Sequence, residues 1–382
     1  MAVTILQSPQ IYTPSDNPVV WVFSSDQTTQ PNFYYLVEVF IDSVSIEKHR
    51  IYVESGIKAH FNAQQITSLK TDVIGYYQFS NDMQNNTLVS ISVTEMYGTT
   101  ISSGASATTS DITVYKSKLK KADFIDYDYN NYIVSNTGVD YLTLFPRTEQ
   151  FKCGIDEMLF LSIMSDNETC TFNCSTYDES GTLISSGNYS LPTHKMTIFG
   201  TDPTWINTMI PSLVFTNVHY YEVNVTSSGN TETLRIYIDK DCTYKTHKRL
   251  HFLNSLGAID SFTFGLIARE KYKVKSFGYE RQFGGFDSSG NYTFDMYKGT
   301  VIDYLKQFSK TVELTSDWLN EEVQNWLSKE LYASPLVWIE EDRKFYRCKV
   351  TNTEFDKKIQ ENDMLFQEVV TIELESDTSV NV

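Results

Sequence analysis

The stretch Lys245-Thr-His-Lys-Arg-Leu-His-Phe-Leu-Asn-Ser-Leu-Gly-Ala-Ile-Asp-Ser-Phe-Thr-Phe264 divides the chain. Two blocks of short strand patterns precede it, and the one strong helical pattern follows it. Leu250 and Phe252 on one side and Ile259, Phe262 and Phe264 on the other flank Asn254-Ser-Leu-Gly257. Asn and Gly are the residues that best tolerate the backbone of a tight turn, so the stretch predicts a β-hairpin. It opens a carboxy-terminal block.

Beyond the hairpin, Tyr272–Glu280 and Tyr292–Phe294 read as solvent-facing strands joined through the turn at Asp287–Asn291. Leu319, Val323, Trp326, Leu327 and Leu331 then recur at helical spacing, with Ser316 as cap, Asp317 at the positive end of the dipole and Pro335 as terminator. A helix over about 316–333 follows. Leu336–Ile339 and Phe345–Val350 form a second hairpin, and Phe366–Leu374 supplies a further strand. Residues 245–382 are therefore expected to be α+β.

Toward the amino terminus, Met158–Met164, Cys170–Tyr177, Thr182–Ile184, Lys195–Phe199, Tyr221–Val225 and Leu234–Ile238 read as short strands. Turn signals at Asp178-Glu-Ser-Gly181 and Ser227-Ser-Gly-Asn230 separate some of them. Residues 116–244 are expected to form a jelly-roll-like β-sandwich. In the first block the prolines of Ile11–Pro18 imply an extended arm before Val19–Phe23, and Ile51–Val53, Val73–Phe79 and Leu88–Val93 continue the strand pattern. Phe33–Ile41, apolar on both faces, predicts a central strand buried between layers. Residues 1–115 thus read as an Ig-like or fibronectin-like sandwich, and Lys116, Lys118, Lys120 and Lys121 mark the boundary. The fold class is mainly β.

Aromatic residues make up 14% of the 382, and the formal net charge is −17. Such an acidic chain is unsuited to wrapping phosphate backbones, so direct nucleic-acid binding is not expected. The basic clusters at Lys116–Lys121 and Lys245–Arg249 read as solvated or interdomain faces. No apolar run is long enough for a membrane span, and Met1-Ala-Val-Thr-Ile-Leu6 lacks the pattern of a signal peptide. Five cysteines, an odd number, do not suggest a disulfide framework.

No catalytic residue, cofactor or metal is expected. Cys170 and Cys174 share a strand face with Phe172 and read as core thiols. His247 and His251 lack the pairing of metal ligands in a strand context. No nucleophile elbow or phosphate-cradling loop is present. Asp126, Glu157 and Asp287 are single carboxylates of the type a glycosidase uses in pairs. The loop Asp287–Asn291 falls short of a calcium loop, since Tyr297 stands where an EF-hand has its bidentate Glu.

The aromatic surplus suggests surfaces buried by assembly. Tyr12, Trp21, Tyr127, Tyr129, Trp318 and Trp338 are the interface candidates. Tyr127 and Tyr129 fall in Phe124–Tyr132, whose alternating aromatic and acidic residues predict an edge strand facing a partner.

Leu250-His-Phe-Leu-Asn-Ser-Leu-Gly-Ala-Ile-Asp-Ser-Phe-Thr-Phe264 resembles a recurrent segment, Trp/Phe-Leu-Asn-x-x-Gly-Gly-x-Asp-x-Phe/Tyr-x-Phe, of virion structural proteins from tailed phages infecting Bacteroidetes, the crAss-like group included. Ala258 stands where the second Gly is usual. Leu314–Glu322 and Leu331–Ile339 are similar to the segment that follows in those proteins, and Pro14–Pro18 fits their amino-terminal pattern. The resemblance covers about a third of the chain. It implies a non-enzymatic tail or tail-appendage subunit, made in the host cytoplasm and located in the virion. The implied partners are further copies of itself and other virion proteins. A host-surface glycan-binding module is the alternative.

Overall fold

A computed structural model describes residues 3–54, 56–65, 86–134, 139–166, 169–193, 195–239, 247–266, 268–294, 299–352, 367–374 and 380–381. The chain is mainly β, as expected, with short helices at Lys121–Ile125 and Pro203–Met209 and a longer one at Glu321–Glu330 among these residues. It divides into two compact units, one comprising Met1–Lys240 with Leu253–Asp260, the other Asp241–Phe252 with Ser261–Val382.

The first unit holds two separate strand-built cores. In one, the sheet of Thr4–Gln7, Val20–Ser24 and Lys58–Asn62 shares a core with the larger sheet that contains Tyr34–Ile41 and Asn86–Tyr97. Trp21, Phe23, Tyr35, Val37 and Val39 are fully buried there. Tyr34–Ile41 is interior to its sheet but not buried on both faces: Leu36, Glu38 and Phe40 alternate with the core residues and are only half-buried. Its neighbour Val44–Ile51 follows a two-residue turn in which Asp42 and Ser43 have φ of 47° and 66°, the left-handed pair that matches strand twist. The predicted strand Val73–Phe79 lies outside the described residues.

The other core draws on a five-stranded sheet, with Thr169–Tyr177 and Tyr220–Thr226 paired inside it, and on the pair Phe160–Met164 and Met196–Gly200. Cys170, Phe172 and Cys174 point into it from one strand face, as the period of two requires. Phe172 packs edge-on against Phe199 and Trp205 at 5.9 and 5.8 Å. A third cluster gathers Tyr12, Tyr115, Tyr127, Leu142, Leu256 and Ala258, the last two from the turn of the central hairpin.

That hairpin forms as predicted, from strands Lys248–Leu253 and Ile259–Phe264. The Asn254 amide donates to Ala258 O at 2.8 Å, and the Asn254 side-chain oxygen accepts from the amides of Leu256 and Ala258 at 3.0 and 2.9 Å. Its Nδ2 donates to Leu142 O at 2.9 Å, and Ser117 Oγ donates to Ser255 O. Gly257 has a φ of +80°, and a Cβ there would collide with the Lys116 carbonyl oxygen. One residue type fits both demands. The turn therefore groups with the first unit, whereas Lys248–Phe252 and Ser261–Phe264 run in the sheet of the second.

In the second unit the strand order is Ile259–Phe264, Lys248–Leu253, Val337–Glu341, Lys344–Val350, Val369–Leu374, Val301–Thr315, Ala268–Glu280. The hairpin at Val337–Val350 turns through Asp342 and Arg343, both left-handed at φ of 50° and 57°. The helix begins five residues later than expected. Asn320, not Ser316, is the cap, accepting from the Val323 amide at 2.9 Å. Ser316 is diverted: its hydroxyl accepts from the Glu368 amide and donates to Asp317 O, both at 2.8 Å. Val323, Trp326 and Leu327 are buried on the face that periodicity assigned to the core.

Candidate interaction surface

The element that distinguishes the second unit is a long arm. Ala268–Glu280 pairs antiparallel with Val301–Thr315 from Ala268↔Leu314 to Glu280↔Val301, with one irregularity between Phe277 and Gly278. At 3.2–3.4 Å per residue the 13-residue strand spans about 40 Å. Residues 269–280 are all exposed. Val369–Leu374 supports only Thr311–Thr315 of the partner strand, and Val380–Asn381 adds a short pairing at Leu305–Lys306. The outer side of Ala268–Glu280 is the edge of the sheet.

This geometry corrects the sequence reading in one respect. Tyr272–Glu280 does not turn back onto Tyr292–Phe294; it pairs with Val301–Thr315, a strand not identified from the sequence. Tyr292–Thr293 instead pairs with Gly285–Phe286 in a small hairpin at the arm's end. Asp287 closes that turn by accepting from the amides of Ser289 and Asn291, both at 2.9 Å. These bonds, the one from Asn291 first, hold its carboxyl below the usual range.

Two faces of the arm differ in chemistry, because strand residues alternate. Arg269, Lys271, Lys273 and Lys275 share one face with Glu313, Thr311, Ser309 and Gln307. Glu313 engages Lys271 at 3.1 Å and Arg269 at 3.8 Å. Lys273 and Lys275 are exposed and have no carboxylate partner among the described residues. The other face carries Tyr272, Val274 and Phe308, exposed by 65%, 51% and 41%. There Glu270 binds Lys310 at 2.7 Å and accepts from Tyr272 Oη at 2.8 Å, and these two bonds lower its pKa.

The tip is aromatic. Phe283 stacks on Phe294 at 5.1 Å, and Tyr292 meets Phe286 and Phe294 edge-on at 5.2 Å each. Tyr292 Oη donates to Phe283 O at 2.6 Å, which ties the two sides together. Phe286 and Phe294 nonetheless remain 77% and 61% exposed. Burying such a ring is worth about 1.5–3 kcal/mol, so an ordered cluster left in water is a ready binding surface.

The predicted interface residues lie elsewhere, and most are occupied. Trp21 and Tyr12 are fully buried, Tyr127 and Trp338 nearly so. Tyr12 Oη donates to Asp166 at 2.5 Å, Tyr115 Oη donates to Tyr127 Oη at 3.0 Å, and Tyr129 is half-buried, its ring 5.6 Å from that of Tyr12. The rings of Tyr12, Trp21, Tyr127 and Trp338 are covered by the chain itself, and Tyr129 keeps part of its surface. Phe124–Tyr132 is not an edge strand: Lys121–Ile125 is a helical turn and Tyr129–Asn131 a 3-10 turn capped by Asp128. Trp318 alone of the six is open, at 60% exposure. The alternation of Lys271, Lys273 and Lys275 with Tyr272 and Val274, which marks a solvent-facing strand in the sequence, is also the way edge strands are charged against indiscriminate pairing.

Other constellations have structural roles. His251 is fully buried, with Nδ1 2.8 Å from Ser261 Oγ and Nε2 3.0 Å from Glu340 Oε2. This Ser–His–Glu chain satisfies polar groups within a packed sheet, with the Phe345 ring 5.0 Å from the imidazole. Arg249, expected on a solvated face, is 3% exposed and donates to Thr263 Oγ1 at 2.6 Å. Glu157 is buried and accepts from the Gly154 amide at 2.9 Å. A groove of about 920 Å³ lined by Pro203, Leu213, Phe215 and Ile238 has Asp239 as its acid. Tyr220 has Tyr177 stacked at 4.9 Å and the Arg235 guanidinium 4.4 Å from its ring centre, so its faces are already covered. Among the described residues no group of three or more His, Cys, Asp or Glu is placed to hold a metal ion, and no helix is long and apolar enough to cross a membrane. His194 and Cys242 lie outside those residues.

No family model matches the chain, and no curated protein does. Among solved structures, the crystal structure of Dpr2 Ig1-Ig2 in complex with DIP-Theta Ig1-Ig3 aligns over 100% of this chain and 91% of that one, at 6% identity and a TM-score of 0.20. A likeness that weak carries neither fold nor function across.

Proposed function

We propose that the chain is a non-enzymatic structural subunit of a phage virion, of the tail or a tail appendage (barrel, baseplate or fibre-attachment region), that acts by oligomerising and docking neighbouring virion proteins. The observation that carries the docking role is the arm of residues 268–315: a ribbon about 40 Å long whose strand Ala268–Glu280 is the sheet's edge among the described residues, ended by an exposed aromatic cluster. A neighbour can cover the arm's edge, the exposed Tyr272, Val274 and Phe308 side chains and the tip together. The virion assignment rests on the resemblance of Leu250–Phe264, Leu314–Glu322 and Leu331–Ile339. Those segments include the turn that joins the two units' chain segments and the helix cap, so they bear on architecture.

The test is incorporation. Particles assembled with the Phe286→Ser, Phe294→Ser chain should contain it at less than a tenth of the wild-type level; full incorporation refutes the docking role. A host-surface glycan-binding module is the second reading, drawn from the same open rings, since sugars stack on exposed aromatic faces. Retention of the purified chain on host-surface polysaccharide, lost in the same variant, would favour it.

A further inference from the structure

We infer that the arm's partner is a second copy of this chain, held head to tail, with the basic face of one arm on the acidic body of the next copy and the aromatic tip as anchor. The inference rests on the reading of the chain as an assembly subunit and names its neighbour. Its first support is charge. Residues 268–315 contain eight basic and six acidic side chains, a net +2, so the other 334 residues carry −19 of the chain's −17. The chain is thus its own electrostatic complement: every copy offers a cationic ribbon and a strongly anionic surface to receive it.

The second support is the placement of the charge. Arg269, Lys271, Lys273 and Lys275 line a single face, and among their cross-strand partners Glu313, Thr311, Ser309 and Gln307 the one acid, Glu313, is taken by Arg269 and Lys271. Lys273 and Lys275 are left for an external carboxylate. The Tyr272–Val274–Phe308 face and the tip rings add apolar area to the same ribbon.

The third support weighs against the simplest alternative dimer. A two-fold pairing of two free Ala268–Glu280 edges, antiparallel about Lys273, would set Lys271 and Lys275 of one copy opposite Lys275 and Lys271 of the other, with Lys273 facing itself. Like charges directly across strands oppose such a ladder. The arm-to-body contact that remains joins two different surfaces. Repeated head to tail it closes into a ring or extends as a filament, and exchanged reciprocally between two copies it would close as a dimer.

The test is sedimentation velocity of the full chain across concentration, at about 50 and 500 mM salt, the range over which exposed charges become screened. Wild type should form species heavier than the 43.9 kDa chain, with an apparent Kd at least tenfold weaker at high salt. Lys273→Glu, Lys275→Glu should weaken association at least tenfold at low salt while leaving the urea midpoint unchanged, because neither side chain has a partner among the described residues. Mixing this variant with wild type separates the geometries. Head-to-tail contacts predict capped, shorter assemblies, because the variant keeps its acidic body and still accepts a wild-type arm. A two-fold edge contact predicts a mixed dimer tighter than either parent.

A tighter mixed dimer overturns the inference, as does a 43.9 kDa monomer at every concentration. Binding of a labelled oligonucleotide to that monomer, abolished in the variant, would assign the basic face to nucleic acid instead. If the chain is monomeric alone but the variant is lost from particles, the second-copy inference falls and the structural-subunit reading stands. If the variant also enters particles normally, the second-copy inference falls together with the docking role of the basic face, and incorporation itself supports the subunit reading.

Discussion

Asn254→Ala should destabilise the first unit by about 3 kcal/mol. The Asn254 side chain is 3% exposed and makes three hydrogen bonds: it accepts from the amides of Leu256 and Ala258 and donates to the Leu142 carbonyl. Alanine removes all three and leaves two amides and a carbonyl in a setting where Leu256 and Ala258 are themselves 1% exposed. Each orphaned buried group costs about 1–3 kcal/mol, and partial relaxation or water entry recovers some of the total. The measurement is urea unfolding followed by tyrosine and tryptophan fluorescence, with the shift in midpoint converted through the slope. Asn254→Asp provides the internal control: it keeps the acceptor for both amides and loses the bond to Leu142. A loss below about 0.5 kcal/mol in Asn254→Ala, within the range of an ordinary surface change, would refute the view that this side chain builds the turn.

Gly257→Ala should be as damaging by another route, since it combines a left-handed φ of +80° with a Cβ driven into the Lys116 carbonyl; the same unfolding assay reads it. Asn320→Ala removes the true helix cap and should cost about 1 kcal/mol, whereas the cap predicted from sequence, Ser316, acts through Glu368, so helix content in far-ultraviolet circular dichroism should fall only in the first variant. Burial pushes the thiols of Cys174 and Cys348 up to about 12, so both should resist thiol reagents at pH 8 and react only on unfolding. Burial also raises the phenols of Tyr12, Tyr127 and Tyr141 well above their ordinary value near 10. Because their folded pKa lies above the unfolded one, the stability they contribute is complete below about pH 10 and is lost as pH rises further. The phenolate absorbance of these three should therefore appear together with unfolding in an alkaline titration, as a step absent from their Phe variants.

Fold class and the central turn were legible because both depend on local chemistry. Asn254 and Gly257 satisfy backbone demands within five residues, and Cys170, Phe172 and Cys174 need only the alternation of a strand to reach the core together. The helix start was not legible, because the choice between Ser316 and Asn320 is made by the Glu368 amide, 52 positions away from Ser316. Phe33–Ile41 looked doubly buried because aromatic and β-branched residues suit half-buried faces as well as buried ones. The arm was half legible. Tyr272–Glu280 gave itself away as a solvent-facing strand, but its pairing with Val301–Thr315 spans an intervening tip that carries turn signals of its own at Asp287–Gly290. Among the six aromatic interface candidates, residue type predicted burial and did not say whose surface supplies it. Tyr12, Trp21, Tyr127 and Trp338 are covered by this chain.

We propose that residues 268–315 engage a neighbouring subunit within a virion. Cryo-electron microscopy of particles that contain the chain, at a resolution that traces strands, tests it directly. Continuous density is expected for the arm along the acidic surface of the next copy, with Phe286 and Phe294 covered at the contact. An arm that ends in open solvent in the assembled particle, or particles that lack the chain, would contradict it.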